Sequence, residues 1–551
     1  MSVNCTYAVE AKLNGVNFTD ITVDVIKDIT FKYGIFGSSP LDRVGSPGEM
    51  KFTLSNTESN SGGLVGYYTP KHANCRAGFD VGLIIRLIVA YDGVTKVKFY
   101  GSIPSDGIQV QSGRLGSRNV NVTVNDWMYQ ATVHELVSPE FTQNKNIGEI
   151  VALILANMEK QPLSTDYETG DETFGSVFDT VKSTTRAMGE FAKVALSELG
   201  FIYITRSNYN HDVETNHEIL RVEGRYTRSD LLKDLTVIIA GTTRSSPITT
   251  EADEYILTED GLYYLVADEV YTPEFDNCQY QMSSPYGEYL YNRIKATAYP
   301  RIVDAASTTV LFSLSRYVEI AAGDTVLLTG RYRDPTGIYD RVAGTDMQAP
   351  VATTDYLMFQ NSNGTGTNLT ANLTVTPVYG VADVGYTLTN TGATKGYVTL
   401  LQARGKGIYI PDQVDYITED STSISNVGPS QLNLDMKYQD NALAISGIAD
   451  VLLLQSKDAQ MIPDKVSFYA NREGYLMASF LVFEPGNRVK IIEDVTYTSN
   501  EFFIQGVEGV IKPGGLVSFS WYIRNAGYDT FDFAKWDVNN WDDSTLSKWA
   551  F

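Results

Sequence analysis

Cysteine is scarce. The chain has three, Cys5, Cys75 and Cys278, widely spaced and odd in number. That excludes a legible disulfide framework or a C-x-x-C zinc motif and leaves isolated thiols. Histidine is almost as rare, at four. His211 and His217 flank Asp212 and Glu214 at a spacing that matches no usual metal site, and read as solvated imidazoles in a polar loop. His72 lies just before Cys75, without the orienting third group that a nucleophilic pair needs. His134, in ATVHEL, reads as a strand or edge residue. Basic residues are outnumbered, 43 against 66 acidic, for a net charge of −23. That argues against gripping nucleic acid by neutralising phosphates. The longest apolar run, GLIIRLIVA, is interrupted by Arg86 and is too short to span a bilayer. The opening MSVNCTYAVEAKLNG has no basic stretch leading into an apolar one, so no secretory leader is expected. The sequons at Asn17, Asn121, Asn368 and Asn372 then read as ordinary turn and strand residues.

Catalytic signatures are missing as well. There is no G-x-S-x-G, H-E-x-x-H or G-x-x-x-x-G-K-[ST]. Gly364-Thr365-Gly366 and Gly405-Lys406-Gly407 lack the third glycine of a dinucleotide loop. The tail WDVNNWDD lacks the mid-loop glycine of a calcium loop. Asp253, Glu254, Glu259 and Asp260 cluster as a solvated acidic surface. A pair of carboxylates brought together by the fold stays open as a glycosidase alternative. No catalytic, cofactor-binding or metal-binding residue is assigned.

What is present is β-structure. Tyr (35) and Gly (45) are abundant across 551 residues, as suits aromatic strands broken by many turns. Three or four domains are expected at this length. LIIRLIVAY is a buried strand, Asp92-Gly93 a hairpin turn, and VKFY the returning strand. VKFYGSIPSDGIQV then breaks twice. Gly101 relieves crowding, Pro104 cannot donate to a ladder, and Ser105-Asp106-Gly107 turns the chain before the alternation resumes. That pattern predicts a sharply bent strand in a barrel-like sheet. NVNVTV alternates one wet face with one buried face.

Helical spacing replaces strand spacing after about residue 140. Asn146 and Glu149 form a capping box ahead of Ile150, Val151, Ile154, Leu155 and Met158. Met188, Phe191, Ala192, Ala195, Leu196 and Leu199 make a second stripe, with Gly200 as its C′ residue and FIYIT as the strand that follows. LTVIIA and LYYLVA are expected strands in a polar region. NSNGTGTN is a loop among short strands that predict an immunoglobulin-like sandwich. Asp440 is placed as the cap of a third helix with Ile445, Ile448, Ala449, Leu452 and Leu453 on its apolar face. VSFYA, YLMASFLVF, RVKIIED, EFFIQGVEGVI and LVSFSWYI are all read as strands. The last residues hold Trp536, Trp541 and Trp549.

FDVGLIIRLIVAYDGVTKVKFYGSIPSDG followed by NVNVTVNDWMYQATVHEL resembles the hub proteins of bacteriophage tails. The matching positions are Gly82, Phe99 with Gly101, and Asp126. IGEIVALILANM and MGEFAKVALSELGFIYITR follow in the same order, with Thr205-Arg206 where the family has an acidic residue and turn. PGNRVKII and FFIQGVEGVIKPGGLVSFSW resemble the second barrel of such hubs, with Asn487-Arg488 departing from the acidic position. The resemblance covers roughly the first 205 residues and those after about 413.

It implies an α+β, predominantly β fold with two tube-like β-barrel domains, an α/β segment and the inserted sandwich. The expected divisions are 1–140 (first barrel), 141–235 (α/β), 236–330 (β-rich connection), 331–412 (sandwich), 413–520 (helix and second barrel) and 521–551 (Trp-rich segment). It also implies a non-enzymatic virion protein at the tail tip, made in the host cytoplasm. Such hubs are homotrimers that close the tail tube. They meet the tube or distal tail protein, the tape measure protein, and tip, fibre or receptor-binding proteins. DNA passes through only in transit, over a channel wall expected to carry carboxylates, and the chain inserts into no membrane. Trp536, Trp541 and Trp549 are candidate assembly contacts. A receptor- or carbohydrate-binding tip protein and a tail-associated cell-wall hydrolase remain the alternatives.

Overall fold

The computed structural model describes residues 3–113, 118–136, 139–181, 184–206, 217–225, 227–228, 273–339 and 342–526. LTVIIA, LYYLVA, His211, the cluster from Asp253 to Asp260, and Trp536, Trp541 and Trp549 lie outside the described residues.

The first region runs β1 (Thr6–Ala11), β2 (Thr19–Asp20), β3 (Ile29–Gly34), β4 (Ser46–Ser55), β5 (Ile84–Tyr91), β6 (Val94–Ser102), β7 (Ile108–Gln111), β8 (Asn119–Asn125) and the helix α1 (Met128–Val133). Asp92 and Gly93 are both left-handed, at φ 49° and 79°, as a tight hairpin turn requires. The break in VKFYGSIPSDGIQV is a change of partner. β6 pairs along β5 and meets β8 only at Ser102, whereas β7 pairs with β8 from Ile108 to Gln111. A Cβ at Gly101 would stand 2.2 Å from the Asn125 carbonyl oxygen, so only glycine lets β6 pass the end of β8.

The α/β region holds α2 (Ile147–Ala156), β9 (Ser164–Tyr167), α3 (Ala187–Glu198), β10 (Phe201–Thr205) and β11 (Ile219–Glu223). β11 is central, antiparallel to β10 and parallel to β9. The capping box forms as expected, with Asn146 and Glu149 bonding each other's backbone N–H. Three local expectations are corrected. His134 is the C-cap of α1 rather than a strand residue. Leu199, not Gly200, takes the left-handed turn after α3, and Gly200 is needed for a different reason: a Cβ there would meet the Glu223 carbonyl oxygen. The third helix is capped by Asn441, whose side chain accepts from Leu443 N–H, rather than by Asp440.

Next come β12 (Glu274–Asp276), β13 (Gln281–Ser283) and β14 (Arg293–Ala298). They are followed by β15 (Ile302–Val303), β16 (Thr309–Ser313), β17 (Val318–Ile320), β18 (Thr325–Arg331), β19 (Val342–Thr345), β20 (Tyr356–Phe359), β21 (Leu373–Tyr379), β22 (Asp383–Asn390) and β23 (Gly396–Tyr409). β23 is the spine of one sheet and pairs in turn with β15, β16, β17, β19 and β20. The sheet β18-β22-β21 shares a core with it through Leu311, Val384, Tyr386, Leu388, Val398 and Leu401.

β24 (Val414–Glu419), α4 (Ser421–Val427), β25 (Gln431–Met436) and α5 (Ala442–Ser456) follow. β24 and β25 flank β14, and α5 buries Ile445, Ile448, Ala449 and Leu452 against that sheet. The chain then forms β26 (Lys465–Tyr469), α6 (Gly474–Val482), β27 (Arg488–Glu493), β28 (Thr498–Lys512) and β29 (Leu516–Asn525).

The fold is mostly β with some helix, and among the described residues none of its sheets closes into a barrel. The two expected barrels are corrected in two ways. First, YLMASFLVF is α6, not a strand. Leu476, Met477, Phe480 and Leu481 recur at helical spacing and enter the same core as β5, β6 and β28, so the C-terminal region lacks that strand. Second, both β-regions belong to one sheet, β13-β26-β29-β28-β3-β4-β8-β6-β5-β1-β2, with open ends among the described residues. Where the two ends of the core approach each other, a side chain bridges them instead of a ladder. Asn471 donates to the Val3 and Gly515 carbonyl oxygens and accepts from Val517 N–H.

Candidate functional site

The feature that unites the chain is β28. Its first half pairs with β27, its second half with β3, and β29 follows almost its whole length. The register sorts side chains to two faces. One face is core, where Val466, Trp521, Val507 and Tyr33 lie in one row and Phe468, Phe519, Phe31, Met50 and Val124 in the next.

The other face is polar over seven strands. One row reads Gln281, Ser467, Ser520, Glu508, Lys32, Glu49, Asn125. The next reads Tyr469, Ser518, Val510, Thr30, Lys51, Thr123. Glu508 pairs with Lys465 at 2.5 Å and Glu49 with Lys51 at 2.7 Å. Shallow clefts lie at both ends of this face, one lined by Ser283, Ser467, Ser518 and Ser520, the other by Thr30, Lys51, Asn121 and Thr123. It carries three lysines, Lys32, Lys51 and Lys465, against two glutamates, Glu49 and Glu508, with hydroxyls and amides between; Lys51 and Lys465 are ion-paired, and Lys32 lies over the Phe36 ring.

Behind it sits a buried ionic joint that sequence reasoning missed. Lys98 and Phe99 are consecutive, yet both point inward, because the β5–β6 register slips between Leu87 and Ile88. A bulge of this kind turns a side chain to the other face. Lys98 Nζ lies 2.6 Å from Glu484 Oε1, and Tyr33 OH donates to Glu484 Oε2 at 2.7 Å. Burial pulls Lys98 down from the ordinary lysine range, and Glu484 opposes that pull. Lys98 belongs to the first β-region and Glu484 to the second, so the pair couples the two halves of the shared sheet.

Asp126, a position matched to the family resemblance, is buried beside the joint. Its carboxylate accepts from Gly48 and Met128 N–H at 2.8 and 3.1 Å, with Arg206 at 4.0 Å. Glu218 accepts from Trp127 N–H at 2.9 Å. Burial outweighs the pull of Arg206 and pushes Asp126 up to about 6 and Glu218 up to about 7. Both values lie above those of the unfolded chain, about 3.9 and 4.3. The stability they contribute is therefore full below those unfolded values and is lost as pH rises through 6 to 7. Thermal stability is expected to fall from about pH 4 to about pH 7. Glu218→Gln is expected to flatten that fall. A melting temperature that rises over this window, or a variant with the parent's slope, contradicts the assignment.

Other sequence candidates are placed as follows. His217 Nε2 lies 3.1 Å from Arg86 Nη1, an arrangement unsuited to a metal ligand. Cys5, Cys75 and Cys278 are free thiols. Among the described residues no cluster of His, Cys, Asp or Glu is arranged to hold a metal ion, and no helix is long and apolar enough to cross a membrane.

No protein-family model matches the sequence, and no curated protein matches it. Solved structures do. The 43 kDa tail protein of prophage MuSo2 from Shewanella oneidensis aligns at TM-score 0.44 and 8% identity, covering 95% of this chain and 99% of that one. A tail protein from Neisseria meningitidis MC58 aligns at TM-score 0.43 and 9% identity, covering 94% and 96%. The prophage tail protein gp18 from Listeria monocytogenes EGD-e aligns at TM-score 0.37 and 8% identity, covering 94% of each. The chain is structurally similar to phage tail proteins.

Proposed function

We propose that this chain is the structural hub at the distal end of a phage tail tube. The observation that carries the reading is the β3–β28 pairing. Through it a single chain sets two β-units side by side in one sheet, so three copies supply six units around a ring. β1 has only the two-residue β2 on its outer side, and β13 ends the sheet opposite. These edges join neighbouring copies, which satisfies their backbone groups. The polar face of the shared sheet then lines the bore. Two ion-paired lysines, one lone Lys32 and small hydroxyls offer DNA phosphates no cluster of free cations to stick to.

In this reading the hub is a homotrimer without catalytic activity. It meets the tail tube or distal tail protein and the tape measure protein on one side and tip, fibre or receptor-binding proteins on the other. The inserted sandwich, placed by sequence at 331–412, projects from the ring. Trp536, Trp541 and Trp549 anchor a neighbouring subunit.

Single-particle electron microscopy of the purified chain over a concentration series tests this. The expected particle is a three-fold ring with the polar face inward. A ring of another order, or the polar face turned outward, overturns the hub reading. Chains that remain single at every concentration favour the tip-protein reading, and a zymogram on host cell walls then separates binding from hydrolysis. Truncation after about residue 530 is expected to weaken assembly, and rings that form as readily without it reject the tryptophan anchor.

A further inference from the structure

The inserted sandwich ends in a cleft that the hub role does not use. It lies between the loop that follows β20 and the β22–β23 turn, and is lined by Gln360, Asn361, Ser362, Asn363, Thr394, Lys395 and Tyr397. Its volume is about 560 Å³, within the range of small-ligand clefts.

The loop is held in shape by its own hydrogen bonds. Gln360 and Thr367 pair through their backbones, as do Asn361 and Thr365. Asn363 Oδ1 accepts from both the N–H and the hydroxyl of Thr365. Gly364 and Gly366 take φ 78° and 84°, the left-handed region in which glycine is favoured. A loop already ordered gives up little entropy on binding.

Its remaining polar atoms are unused. Asn361 Oδ1, Asn363 Nδ2, Gln360 Nε2 and the hydroxyls of Ser362 and Thr394 have no protein partner. They comprise donors, acceptors and groups that do both, the requirement for binding hydroxyls.

Beside them are two aromatic rings set edge to face, with planes at 81°. Tyr397 stands opposite Phe359 in the ladder, on the same sheet face. Tyr317 is 55% exposed, with its ring centroid 5.5 Å from that of Tyr397. The one cation in the cleft, Lys395, pairs with Glu319 at 3.2 Å, so the site has no net charge with which to attract a phosphate or carboxylate.

We propose that this cleft binds a neutral saccharide, with its amides and hydroxyls on the sugar hydroxyls and Tyr397 against the apolar face of the ring. The assignment does not depend on the hub reading, because it concerns a single copy of the chain.

Saturation-transfer NMR on the full chain tests it, with methyl glucoside, methyl galactoside and chitotriose as neutral probes and sialyllactose as the anionic one. The expected result is transfer from at least one neutral probe and none from sialyllactose. Tyr397→Ala is expected to weaken binding about tenfold. Gln360→Ala combined with Ser362→Ala, which leaves the core untouched, is expected to weaken it similarly. Thermal unfolding of each variant separates a lost site from a lost fold. No transfer from any neutral probe at millimolar concentration, preference for sialyllactose, or binding unchanged in the loop variant each overturns the proposal.

Discussion

Replacing Glu484 by alanine is expected to destabilise the shared core by about 3–5 kcal/mol. The Lys98 side chain is fully buried and Glu484 is its ion-pair partner, at 2.6 Å. Its one other hydrogen bond is to the Leu481 carbonyl oxygen at 3.4 Å. Alanine leaves a buried ammonium with no counter-charge and a buried Tyr33 hydroxyl with no acceptor. Desolvation of such a charge costs far more than an exposed pair gains.

The double variant Lys98→Met, Glu484→Leu makes the contrast. It removes both charges, fills similar volume and is expected to stay within about 1–2 kcal/mol of the parent. Guanidinium unfolding of the three proteins checks both outcomes. A Glu484→Ala protein as stable as the parent would show that the pair does not hold the halves together. Because the chain has several cores, the transition to follow is that of the shared sheet, reported by Trp521 in its core.

Trp521→Ala is expected to cost about 3–5 kcal/mol. The ring is fully buried and sits 4.9 to 5.6 Å, centroid to centroid, from Phe275, Phe468, Phe483 and Phe519. These residues come from β12, β26, the segment after α6 and β29, so one cavity would loosen four parts of the C-terminal region. Trp521→Phe supplies a sharper test. The indole Nε1 is buried without a hydrogen-bond partner, and phenylalanine removes that unpaired donor along with some volume. The two effects oppose each other, and a loss below about 1.5 kcal/mol is expected. A phenylalanine variant as damaged as the alanine one would mean that indole volume alone governs the site.

Some of this was legible in the sequence because the signal was local. The Asp92-Gly93 turn needs two left-handed residues, and the Asn146–Glu149 box needs two side chains three residues apart. The breaks at Gly101 and Pro104 marked where a strand must leave one partner for another. YLMASFLVF failed because a nearly continuous apolar run of that length fits a buried strand or a buried helix equally well by pattern. Its helix is decided by the groove it fills against β5 and β6. The unused polar atoms of the sandwich cleft were visible only as a loop composition, since nothing in NSNGTGTN locates Tyr317 and Tyr397 beside it.

The sequence by itself determined that the chain is mostly β, where its turns and helix caps fall, and that no familiar catalytic motif is present. Each of those follows from residues a few positions apart. The tertiary structure alone decided that the two β-regions are one open sheet rather than two barrels, that Lys98 faces inward to Glu484, and that one face of the sheet is polar with charges of both signs. Those depend on pairings such as Lys98 with Glu484 and β3 with β28, between segments hundreds of residues apart. A one-residue bulge or the choice of an edge partner reverses which way a side chain points, and no local pattern records that choice.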